Sequence, residues 1–152
     1  MDELDRRILQ ALQDGLPLTE RPYDALAEKL ALDGRQLWER VLRLVEQGVI
    51  RRLGASLDSR KLGYSSTLAA VAVEPARVDR AAQLIAAYPE VTHSYLRDHE
   101  FNIWFTIIAP DQQRIEAILD EIRSALSLDA SQVLDLPVTR LFKLDARFRP
   151  RR

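Results

Sequence analysis

Five residues in the second half of the chain could do chemistry together: His93, Tyr95, Arg97, Asn102 and Trp104. Side chains alternate faces along an extended strand with period two. In Val91–Arg97, that period puts His93, Tyr95 and Arg97 on one face. In the following segment, Asn102, Trp104 and Thr106 share one face, and Phe101, Ile103, Phe105 and Ile107 share the other. The all-apolar set belongs against a core, so a hairpin gathers the five polar and aromatic residues on the opposite side. They combine a proton-transfer group, a fixed cation, a phenol, an amide and a large flat ring, a set suited to a planar, anionic ligand. Arginine grips a carboxylate through two parallel N–H bonds. Tryptophan and tyrosine offer flat apolar area with a polar edge. Histidine titrates near neutral pH or ligates a metal. The same face could instead cement a dimer, and the two readings are compatible because pockets often lie at interfaces.

The elements that must hold this cluster follow from periodicity. Thr67–Glu74 is small and β-branched and ends at Pro75, which predicts a strand. Val78, Ala81, Ala82, Ile85 and Ala86 recur at helical spacing. Strands are expected over Val91–Arg97 and Phe101–Ala109, joined by the polar turn Asp98-His99-Glu100. Pro110-Asp111 opens a helix carrying Ile115, Ile118, Leu119 and Ile122, and Val133–Leu144 reads as a last extended stretch. The order β-α-β-β-α-β is that of a ferredoxin-like split sheet. Such a sheet has helices on one face only, so the polar cluster faces solvent, a ligand or another subunit.

The first 53 residues read differently. Leu4, Ile8, Leu9 and Leu12 mark one helical face. Pro22 sits in the first turn of a second helix, where its missing N–H costs nothing. Asp33-Gly34 is a turn signal, a third helix runs from about Arg35 to Gln47, and Gly48 caps it. Val49-Ile50 begins an extended segment. Three short helices with a tight second turn make a helix-turn-helix, in winged style. The expected fold is therefore α+β: a winged helix-turn-helix over 1–53, then a ferredoxin-like domain over 54–152.

Charge tests the DNA reading of that first domain. The chain has 22 Lys+Arg and 23 Asp+Glu; residues 1–53 hold 9 basic and 10 acidic residues, and residues 54–152 hold 13 of each. DNA affinity rests largely on phosphate neutralisation. The exposed candidates on the third helix are Arg35, Gln36, Glu39, Arg40 and Arg43, with Glu39 in the middle of the reading face. Neither half is basic, so DNA is not the expected partner.

Composition excludes more. Without cysteine there is no disulfide, thiolate nucleophile or cysteine-ligated metal. The longest apolar run, Leu68–Val73, is far below the ~20 residues of a spanning helix. The acidic Met1-Asp2-Glu3-Leu4-Asp5 start has the wrong sign for a signal peptide. The chain reads as cytoplasmic and complete, and the basic end Arg147–Arg152 as a solvated tail.

The two-part layout resembles the Lrp/AsnC family, through Leu4–Gln13 at the start and Arg40–Ile50 at the end of the recognition helix. A narrower branch fits better. Gly48-Val49-Ile50-Arg51-Arg52-Leu53-Gly54-Ala55 with Lys61-Leu62-Gly63-Tyr64 resembles the siroheme decarboxylases. So do Val91-Thr92-His93-Ser94-Tyr95-Leu96-Arg97, Asn102-Ile103-Trp104-Phe105-Thr106 and Leu136–Lys143. The resemblance implies removal of two acetate carboxyl groups from siroheme, giving didecarboxysiroheme for haem or nitrite-reductase haem biosynthesis. Iron enters with the substrate, so no further cofactor is implied. Under that resemblance Arg97 holds an acetate or propionate carboxylate. His93 protonates the carbon that loses carbon dioxide, or approaches the iron axially. Tyr95 and Trp104 line the ring and Asn102 orients a side chain. Arg51, Arg52, Arg140 and Lys143 are further carboxylate candidates, for which a solvated-surface reading stands equally. His99, between Asp98 and Glu100, reads as surface. The family also implies a homodimer or a pairing with a paralogous subunit. The rival readings are an Lrp/AsnC-type regulator with a small effector, and a tetrapyrrole-binding sensor without chemistry.

Overall fold

The computed structural model describes residues 1–148. The chain divides into two compact units: Met1–Ala55 together with the stretch from Lys143, and Ser56–Phe142.

In the helical unit, α1 (Glu3–Asp14), α2 (Pro22–Leu30) and α3 (Gly34–Glu46) surround Ile8, Leu26, Ala27, Leu37, Val41, Leu44 and Ile50. Each helix start is written in the sequence. Asp2 caps α1 by accepting from Asp5 N at 2.8 Å, and Asp5 returns the bond by accepting from Asp2 N at 3.0 Å. Pro22 opens α2, and Asp33 caps α3 through Arg35 N and Gln36 N. A Cβ at Gly34 would lie 2.5 Å from Asp24 Oδ1, so that flexible side chain would have to swing aside. Gly48 adopts φ +69° just past α3, the left-handed conformation that ends a helix without a Cβ penalty.

The wing is not formed. No strand occurs in this unit among the described residues. The amides of Val49 and Ile50 both donate to Leu44 O at 3.0 Å, folding the chain back so that Ile50 enters the helical core. The tail also departs from expectation. Gln13 Nε2 donates to Phe148 O and Phe148 N donates to Gln13 Oε1, each at 2.9 Å, while Arg147 pairs with Asp14. Arg147 and Phe148 are thus tied to α1, which explains why this stretch groups with the helices; residues 149–152 lie outside the described residues.

Arg40 and Arg43 of α3 reach the start of α1. Arg40 Nη1 lies 2.8 Å from Asp2 and 2.7 Å from Asp5, and Arg43 Nη2 lies 2.8 Å from the same Asp5 carboxylate, which is buried. Burial alone would raise the Asp5 pKa, but the Asp2 amide and Arg40 outweigh it and hold it below the ordinary value. The Asp5 amide and Arg40 pull Asp2 from 3.8 to about 2. A carboxylate lowered on folding stabilises the fold above its unfolded pKa, and that stabilisation fades as pH falls through the folded value. Unfolding of the helical unit should therefore become easier between pH 3.8 and about 2. Asp2→Asn, which keeps a cap oxygen, should flatten this dependence in urea titrations; an unchanged slope would exclude Asp2 as its source.

The second unit has β1 (Ser65–Val71), α4 (Val78–Ala86), β2 (Val91–Leu96), β3 (Ile103–Ala109), α5 (Gln112–Ala125) and β4 (Val133–Pro137). The sheet order is β2-β3-β1-β4, antiparallel throughout, which is the ferredoxin-like arrangement. Ile103, Phe105, Ile107 and Ala109 of β3 are buried with Ile85 of α4 and Ile115, Ile118 and Ile122 of α5. β4 stops at Pro137, opposite Thr67 of β1, rather than running to Leu144. Arg140 and Lys143 therefore leave the sheet on irregular chain.

Candidate functional site

The open face of the sheet is built by strand register. Tyr95 lies opposite Trp104, which lies opposite Ala70; His93 lies opposite Thr106, which lies opposite Leu68. Ala70 is fully buried, so the tryptophan covers a small residue rather than competing with a large one. A bulge between Val91 and His93 shifts the register at Thr92. Strict alternation would carry Val91 to the open face with His93. The extra residue lets Val91 pack against the core while His93 stays outside.

The aromatic floor is fixed by hydrogen bonds within the hairpin. Trp104 Nε1 donates to Phe101 O at 2.7 Å, leaving the indole faces for contact. The Arg97 guanidinium sits 4.9 Å from the centre of the Tyr95 ring, a cation–π arrangement that holds the charge beside a flat surface. The backbone continues the ladder at this point, with Arg97 N donating to Asn102 O at 2.7 Å. Among the described residues, no carboxylate lies within ion-pair distance of Arg97; its only side-chain bond is Nη1 to Leu96 O at 3.3 Å. Leu68, Tyr95, Arg97, His99, Trp104 and Thr106 line a shallow hollow of about 580 Å³.

His93 stands one pleat along from that hollow. Its ring stacks on Tyr95 with centroids 6.3 Å apart and planes at 18°, and Nδ1 lies 3.0 Å from Thr92 Oγ1. The ring is exposed, so Nε2 remains available to carry a proton to a bound molecule.

Other expected site residues fall elsewhere. Asn102 also serves the fold: its Nδ2 donates to Val73 O at 2.7 Å and its Oδ1 accepts from Val73 N at 3.2 Å. This clamp closes the end of the sheet and uses one of the two Nδ2 N–H donors. Arg51 and Arg52 belong to the helical unit, where they border a groove of about 490 Å³ with Leu9, Leu12, Leu53 and Phe148. Arg140 is exposed, 4.8 Å from the Phe142 ring centre, and Lys143 is exposed on the irregular tail. Sequence periodicity missed His99, because a turn has no face to count along. His99 borders the hollow beside Arg97, and Leu68 reaches it from β1. Among the described residues, no three His, Asp or Glu side chains gather as a metal site.

The two units have separate counterparts among known families. Residues 61–143 match the AsnC-like ligand binding domain, and residues 5–51 match the siroheme decarboxylase NirDL-like HTH domain. The AsnC family transcriptional regulator from Agrobacterium tumefaciens superposes with a TM-score of 0.77 at 24% identity, over 97% of this chain and 96% of that one, which establishes a shared fold. Fold and domain order thus define a two-domain Lrp/AsnC-like protein.

Closer relatives narrow the class. The chain is 44% identical over 149 residues to the siroheme decarboxylase alpha subunit of Desulfovibrio desulfuricans, covering 98% of this chain and 84% of the relative. It is 39% identical to the siroheme decarboxylase NirD subunit of Pseudomonas aeruginosa, covering 97% and 96%. The crystal structure of the siroheme decarboxylase NirDL superposes with a TM-score of 0.75 at 33% identity, over 93% of this chain and 45% of that one. A second NirDL structure, in complex with an iron-uroporphyrin III analogue, gives 0.75 at 31% identity, over 97% and 48%. This chain belongs to the siroheme decarboxylase family.

Proposed function

We propose that this chain works as a siroheme decarboxylase subunit, a carboxy-lyase that removes the carboxyl groups of two acetate side chains, with its site on the open sheet face. The observation that carries the placement is Arg97, a cation without a carboxylate partner among the described residues, set 4.9 Å from Tyr95 beside the Trp104 floor. A flat, multiply anionic macrocycle needs that combination. The ring lies on Tyr95 and Trp104, and Arg97 fixes a peripheral carboxylate through charge-assisted hydrogen bonds. The carbon–carbon bond to the departing carboxylate breaks and carbon dioxide leaves. The electron pair stays on the methylene carbon, and His93 delivers the proton that makes it a methyl group. The iron belongs to the substrate, and no resident cofactor is required.

The regulator reading is disfavoured by the α3 side chains. Arg40 and Arg43 are held by Asp2 and Asp5, and Arg35 Nε pairs with Glu39 at 2.9 Å. Cations already neutralised within the protein gain little from DNA phosphates. Relatives named as subunits favour an assembly with a second copy or a paralogous chain. Among the described residues, no helix is long and apolar enough to cross a membrane, and we place the protein in the cytoplasm with its small-molecule substrate.

Anaerobic incubation with iron-loaded siroheme, followed by mass analysis of the tetrapyrrole, tests the reading. Loss of two carbon dioxide equivalents is expected, either from the chain alone or on addition of its nearest paralogue. Tight binding without mass loss in both cases would favour a sensor; no binding in either would reject the reading.

A further inference from the structure

The turn that joins β2 to β3 separates two hollows. One is the open-face hollow of about 580 Å³. The other, about 650 Å³, is bordered by Pro75, Val78 and Asp79 at the start of α4, together with Leu96 and Asn102. Arg97, Asp98 and His99 line both. His99 is held in place from two sides. Its Nδ1 accepts the Phe101 amide at 3.1 Å, and its ring stacks on Phe101 with centroids 6.3 Å apart and planes at 24°. A ring that accepts at Nδ1 carries its proton on Nε2. The turn therefore presents an N–H donor on the same hollows as the Arg97 guanidinium, which has no carboxylate partner among the described residues.

We propose that His99 is a second carboxylate anchor of the tetrapyrrole site, donating from Nε2 to a peripheral carboxylate other than the one held by Arg97. The inference rests on the siroheme reading above. One guanidinium grips one carboxylate, while the macrocycle carries several around its rim. Two donors on one short turn fix the rotation of the ring about its normal, which a flat aromatic floor does not resist. Asp98, between them, repels a carboxylate placed off register.

Two variants separate this role from a purely local one. His99→Asn keeps an oxygen where Nδ1 lies, preserving the bond from the Phe101 amide, but removes the outward donor. His99→Gln keeps a donor near Nε2 and gives up the inner acceptor. Hydrogen bonds to charged groups are worth enough that losing one should weaken siroheme binding about tenfold to hundredfold. His99→Asn should show that loss in a Soret-band titration while the Phe101 amide stays protected from exchange, and His99→Gln should recover most of the affinity. Unaltered binding by His99→Asn would overturn the proposal. Equal losses in both variants, tracking lost protection at Phe101, would also overturn it by assigning His99 to the turn alone. Failure of the unmodified protein to bind siroheme, with or without its paralogue, would instead remove the siroheme reading itself, and the anchor with it.

Discussion

Replacing His93 with alanine is expected to abolish decarboxylation while leaving tetrapyrrole binding nearly unchanged. The imidazole is exposed, stacked on Tyr95 and bonded to Thr92 Oγ1, so its removal opens no cavity and breaks no core contact. The flat contact area comes from Tyr95 and Trp104 and the charge from Arg97, so affinity survives. The lost contribution is proton delivery to the carbon that has released carbon dioxide. General acid catalysis of this kind is worth about 10²–10⁴-fold. Single-turnover mass analysis with the variant at saturating siroheme measures it directly, and a normal rate would remove His93 from the mechanism.

The second large effect lies one residue from Trp104, on the other side of the sheet. Phe105 is 1% exposed and packs among the residues that β1, β3 and α5 contribute to the core. Phe105→Ala leaves a cavity under the aromatic floor, and such truncations cost about 3–5 kcal/mol. That is a large share of the roughly 5–15 kcal/mol that holds a typical domain together. Urea unfolding in a Trp38→Phe background, where Trp104 alone reports, should show an earlier transition for the second unit. A midpoint shift smaller than that of an exposed control such as Leu68→Ala would contradict the assignment of Phe105 to the core.

Much of the fold was legible because the relevant forces are local. Pro22 and Pro110-Asp111 mark helix starts within a turn of themselves, and Gly48 acts at its own φ angle. Helix and strand periods alone sorted Ile103, Phe105 and Ile107 from Trp104 and Thr106. The missing wing was not legible: Val49-Ile50 has strand-like residues, and only the pull of Ile50 into the helical core decides its path. The last strand was overextended for a similar reason. Val138–Leu144 looks extended, yet the ladder with β1 ends at Pro137, a residue with no N–H to donate. The bulge at Thr92 also escaped the alternation rule, since a bulge is defined only by the facing strand.

Within the candidate site, the sequence by itself determined which residues share a face: Tyr95, Arg97 and Trp104 follow from a two-residue period that each strand carries independently. It also determined the balance of charge, through the side-chain inventory. The tertiary structure decided which polar groups remain available. Asn102 and Val73 are 29 residues apart, and their pairing commits one Asn102 N–H and its oxygen to a clamp. Arg40 and Asp5 are 35 apart, and their ion pair withdraws a recognition-helix cation. Arg97 keeps its charge unpaired among the described residues, and His99 reaches the same hollow from a turn with no period. Availability depends on distances across the fold, because a hydrogen bond or an ion pair is won by whichever partner the chain brings within about 3 Å.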